Sequence, residues 1–136
     1  MSSKGHDFIL EMIHLKMIKM GFRIVSSDSR YSEIKFPLMP TIINHRPDSL
    51  GYNKDKDIVC IGEAKYYGDL TSERSKTQIR DLIGIAKDNR KKVKIIFGIP
   101  ASEKENFNKD LKELKISLPK NSILLEIPDR LIPVPN

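Results

Sequence analysis

A chain of 136 residues, 39% apolar and 31% charged, suits one domain, 1–136, built around one core. Its single cysteine, Cys60, cannot form an internal disulfide, and no apolar run approaches the ~18 residues of a membrane span, which argues against both a disulfide scaffold and a membrane protein. A formal net charge of +6 with a pI of about 9.4 points to an acidic partner, of which nucleic acid is the usual one.

Residues 4–20 carry Phe8, Ile9, Met12, Ile13, Met17 and Met20 at steps of three and four, which predicts a helix stopped by Gly21. Segments 22–25 and 32–36 read as extended, joined by a polar turn, and 37–45 is irregular. A short strand at 48–52 and a turn at 53–56 lead into 57–65, where Ile58, Val59, Cys60 and Ile61 in sequence suggest a strand buried on both faces, with Cys60 as a small core residue. Thr71 or Ser72 can cap a helix running to about 89 with Ile79, Leu82, Ile83 and Ala86 on its apolar stripe. A strand at 93–99 follows. The pattern Ser102-x-x-Glu105 then predicts a capping box opening a helix with Phe107, Leu111 and Leu114 on one face. The last strand is 123–127, and the prolines of 128–136 make an irregular tail. The order is αβββαβαβ: an α/β chain whose first strands form a meander, whose strand 93–99 runs parallel to 57–65, and whose mixed sheet carries helices on both faces.

The chemistry gathers around Pro47-Asp48 and Glu63-Ala64-Lys65. Side chains alternate along a strand, so Asp57, Val59, Ile61, Glu63 and Lys65 share a face, and charge enters that face only at its ends. If 48–52 and 57–65 pair through the 53–56 turn, Asp48 comes opposite Glu63, because 48 + 63 = 111 centres the pairing between 55 and 56. Two carboxylates side by side repel unless a cation lies between them, and oxygen ligands of this kind suit magnesium or manganese. Such an ion binds a phosphate oxygen and activates a water, while Lys65 beside it holds that water and offsets negative charge. The Ala64 carbonyl is a further ligand of the right chemistry. An ordinary Glu–Lys pair at a surface strand end would carry the same letters; the shared register is what argues for a site.

Arg46-Pro47-Asp48 followed by Ile61-Gly62-Glu63-Ala64-Lys65, with this element order over roughly 4–100, resembles the PD-(D/E)xK nuclease superfamily, the restriction-endonuclease-like fold. The resemblance implies metal binding for Asp48 and Glu63, assistance to the attacking water for Lys65, and an added acidic residue from the first helix. Archaeal Holliday-junction resolvases have a similar layout.

On that helix Lys4, Asp7, Glu11 and His14 form one polar strip. Glu11 is the first choice for the added acid, directly or through water, Asp7 the second, and His6 a phosphate contact. Gln78 lies one turn into the helix after the motif, where some members of the superfamily carry a glutamine. Arg46, Tyr66, Arg74 and Lys76 complete a diffuse DNA-binding surface of cations and aromatics. His14 and His45 lack zinc-ligand spacing. The expectation is a magnesium- or manganese-dependent deoxyribonuclease, resolvase-like in its substrate. The alternative is a catalytically inactive nucleic-acid-binding protein of the same fold. A two-fold homodimer would suit paired cuts. The absence of a signal-peptide pattern suggests the cytoplasm, and a bias to Ile, Lys and Glu suggests heat adaptation.

Overall fold

The computed structural model describes residues 4–27 and 46–133. Helix α1 (Lys4–Lys19) leads into strands β1 (Arg23–Ser27), β2 (Ser49–Asn53) and β3 (Ile58–Ala64); α2 (Glu73–Asp88), β4 (Val93–Pro100), α3 (Lys104–Leu114) and β5 (Ser122–Ile127) follow. The five strands lie in sequence order, β1-β2-β3-β4-β5. The first three pair antiparallel, and β3-β4 and β4-β5 are parallel. The expected α/β order, meander and parallel crossover are all present. The predicted extended segment 32–36 and the irregular 37–45 lie outside the described residues.

Alternation divides the core into two layers. Ile61, Ile95, Phe97 and Ile99 face Ile79, Leu82, Ile83 and Ala86 of α2 and Phe107 and Leu111 of α3. Cys60, Ala64 and Ile96 face Ile9, Leu10, Ile13 and Met17 of α1. Burying each large aliphatic side chain contributes about 1.5–3 kcal/mol, so the sheet is held from both sides. Cys60 is a core residue: it is fully buried, and burial pushes its thiol up to about 12. Among the described residues no helix is long and apolar enough to cross a membrane.

The helix ends follow local chemistry with one exception. Gly21, at φ 92°, lets the chain turn out of α1. Ser72 caps α2, its hydroxyl accepting the Ser75 N–H at 3.1 Å. The capping box at Ser102 does not form. A 3₁₀ turn over Ala101–Glu103 moves the start of α3 to Lys104, and Ser102 donates through its N–H and its hydroxyl to Asp129 instead. A carboxylate brought in from 27 residues away outcompetes the local backbone.

α1 can press onto the sheet because Gly98 has no side chain: a Cβ there would sit 2.8 Å from Ile13 Cδ1 and 2.9 Å from Ile9 Cγ2. Gly98→Ala is expected to destabilise the protein by about 1–3 kcal/mol through overpacking. The check is a lower urea midpoint with an unchanged m value.

Candidate functional site

β2 and β3 end together, and their ends build the site. Ser49 pairs with Gly62 and Asn53 with Ile58, so paired indices sum to 111 as the turn at 53–56 requires. One residue before β2, the Asp48 N–H donates to Glu63 Oε1 at 3.3 Å. Asp48 Oδ2 accepts the Ala64 N–H at 2.8 Å, so the side chain satisfies a backbone donor where strand pairing stops. The two carboxylates are neighbours through register rather than through flexible loops.

Lys65 follows β3 and is turned to the same side as Glu63. Its N–H donates to the Gly98 carbonyl at 2.9 Å, which fixes its backbone to β4. Its ammonium lies 3.5 Å from Glu63 Oε2 and donates to Gln78 Oε1 on the first turns of α2. Glu63 and Lys65 retain only 3% and 6% of their surface. On the other side of the sheet end, His6 Nε2 from α1 lies 3.3 Å from Asp48 Oδ2. These groups line a cleft of about 560 Å³, open to solvent past Arg74 and Asp69. That is ample for a nucleotide-sized ligand.

Burial pushes the Glu63 carboxyl far above the usual carboxylate range, and the negative charge of Asp48 pushes it further; Lys65 opposes both. His6 is raised as well, first by its hydrogen bond to Asp48, against the effect of burial. A buried carboxylate beside a second one has a high affinity for a positive charge, whether proton or metal ion.

No protein-family model, curated protein or solved structure matches the chain.

The donor set fits a hard divalent ion of the magnesium type. Asp48 and Glu63 converge, and Ala64 lines the cleft beside them with its N–H bonded to Asp48. Among the described residues no group of three or more His, Cys, Asp or Glu side chains is placed to hold a metal ion. Magnesium needs none, because it is commonly held by one or two carboxylates plus waters and phosphate oxygens.

The predicted residues divide sharply. Asp48, Glu63, Ala64, Lys65, His6, Tyr66, Arg74 and Gln78 all border the cleft. Glu11 does not: it is exposed on α1, away from the cleft lining. The reason is helical phase. The buried stripe Ile9, Ile13 and Met17 extends back one step to His6, and Glu11, five residues on, is rotated roughly 140° away. Asp7 also lies off the cleft lining. Lys76 is drawn the other way, bonding Glu113 of α3 at 2.9 Å and Glu73 at 2.9 Å. Arg46 is exposed and does not line the cleft. Tyr66 is half-buried, its hydroxyl donating to the Pro133 carbonyl at 3.2 Å, so the C-terminal segment holds it in place.

Sequence reasoning missed Asp69, an exposed acid at the cleft mouth whose carboxylate accepts the Tyr66 N–H at 2.7 Å. Its signal, an aspartate after a glycine in a polar loop, is too common to stand out.

Proposed function

We propose that the chain is a magnesium- or manganese-dependent nuclease hydrolysing DNA phosphodiester bonds, on a restriction-endonuclease-like fold of the PD-(D/E)xK kind. The observation that carries this reading is the meeting of Asp48 and buried Glu63 at the ends of two paired strands, with Lys65 3.5 Å from Glu63. The mixed sheet with α1 on one face and α2 and α3 on the other agrees with it.

The division of labour follows from the geometry. Asp48, Glu63 and the Ala64 carbonyl would hold the ion, which when bound supplies a Lewis acid at a phosphate oxygen and a water of lowered pKa. Gln78 and Glu63 fix the Lys65 ammonium, so it is pre-positioned to hold the attacking water and to offset charge developing on the phosphate. Asp48 orients the His6 ring and favours its charged form, making it a donor to a phosphate oxygen. Arg74 at the mouth suits bidentate contact with the backbone.

Purified protein should cut DNA with magnesium and stop with a chelator. Asp48→Ala should lose about a thousandfold or more in rate, by removing a metal ligand worth several kcal/mol. His6→Ala should lose about tenfold, and Glu11→Gln should cut within a factor of about two of wild type, as expected for an exposed residue off the site. Cutting by Asp48→Ala at the wild-type rate sinks the assignment. Tight DNA binding with no cleavage on duplex, flap, junction or single strand would favour a non-catalytic binder instead.

A further inference from the structure

α2 has two very different ends. Its N-terminal turns border the cleft through Ser72, Arg74, Ser75 and Gln78. Its C-terminal end borders a second cavity of about 470 Å³, lined by Lys87, Arg90, Lys94, Ser117, Lys120 and Asn121 among others, and by no carboxylate. Among the described residues, none of these four cations has an acidic partner within ion-pair distance.

This cavity is a built feature. The Asn121 side-chain amide donates to the Ala86 and Val93 carbonyls, each at 2.8 Å, and its backbone carbonyl accepts the Ile95 N–H at 3.1 Å. The loop carrying Ser117 and Lys120 is thereby fastened to the end of α2 and the start of β4. A helix C-terminus favours cations, which accounts for Lys87. It does not account for Arg90, beyond the helix, or for Lys94 and Lys120, on a strand and a loop. Four like charges around one cavity repel each other unless an anion joins them.

We infer that the basic cavity at the C-terminal end of α2 takes a second backbone phosphate of duplex DNA, at a distance from the cleft. This rests on the reading of the cleft as a phosphodiester site. Arg74 and Lys87 are 13 residues apart on the helix, an axial separation of about 20 Å. Along one strand of a duplex that is roughly six base pairs. A substrate that reaches both sites therefore extends at least that far from the scissile bond, a length that a stiff duplex arm holds and a lone nucleotide cannot span.

The test is binding of a fluorescein-labelled duplex with arms longer than this span, followed by anisotropy in chelator at several salt concentrations. Lys87→Gln/Arg90→Gln/Lys120→Gln should bind at least about tenfold more weakly at low salt, and its log K against log salt should flatten by about 2–3. Lys16→Gln/Lys19→Gln/Lys56→Gln, matched in charge but away from the cavity, should bind nearly as wild type. Equal loss in the two triple variants, no loss in the first, or no duplex binding by wild type would each overturn the proposal. Cleavage by wild type with magnesium reads the cleft separately. Selective binding loss without any wild-type cutting would refute the nuclease reading and leave the contact between the basic cavity and DNA standing.

Discussion

Glu63→Gln is expected to lose metal-dependent cleavage by a factor on the order of 1,000 while making the metal-free protein more stable at pH 8. Both effects come from burial. Glu63 is 3% exposed, faces Asp48, and is pushed up to about 8. Its folded-state pKa is thus above its unfolded value of 4.5, so the folded state holds a proton that the unfolded chain releases. The stability this gives is complete below about pH 4.5 and is lost as pH rises through about 8. Glutamine is neutral at every pH and escapes that loss, for a gain on the order of a few kcal/mol at pH 8 and under about 1 kcal/mol at pH 5. Magnesium should replace the missing proton in wild type. Its stabilising effect should grow from pH 5 to pH 8 and be absent from the variant. Thermal melts at both pH values, with and without magnesium, check every arm. A Glu63→Gln protein that melts lower than wild type in chelator at pH 8 would show that the carboxylate is structural.

Lys65→Met should cut about 100–1,000-fold more slowly yet keep the thermal shift given by magnesium. The ammonium lies against Glu63 and Gln78 on the wall of the cleft, close to the carboxylate proposed to bind the ion without itself being able to ligate it when charged. Methionine keeps the apolar stem and removes the charge, so packing changes little. Loss of the Lys65 charge removes the main influence opposing burial at Glu63 and leaves only the hydrogen bond from the Asp48 N–H, so the carboxyl should take up its proton at still higher pH. The magnesium shift should therefore require a higher pH than in wild type. Single-turnover rates and melts on the same preparation separate the two effects. Loss of the magnesium shift at every pH would mean that Lys65 maintains the site rather than serving the reaction.

The contrast between Glu11 and His6 illustrates what a sequence pattern can and cannot settle. The polar strip of α1 is legible, and so is the buried stripe Ile9, Ile13 and Met17. Which end of that stripe reaches the sheet edge depends on how α1 docks against β3 and β4, set by the small floor at Gly98. Ser102 and Lys76 tell the same story: each has a sound local reading that is overridden by a partner distant in sequence, Asp129 and Glu113 respectively. The cations of the basic cavity are drawn from a helix, a strand and two loops, so no single period joins Lys120 to the others.

The sequence by itself determined the strand register and hence the pair Asp48–Glu63. A short turn and a period of two leave one pairing that buries Ile61 and brings the carboxylates together. Local periodicity likewise settled α1, α2 and the buried strands. The tertiary structure alone decided that His6 rather than Glu11 meets Asp48, that Gln78 holds Lys65, and that Lys87, Arg90 and Lys120 gather at the far end of α2. Those contacts depend on the relative placement of whole helices against the sheet, a matter of side-chain volume and distant partners that no local period encodes.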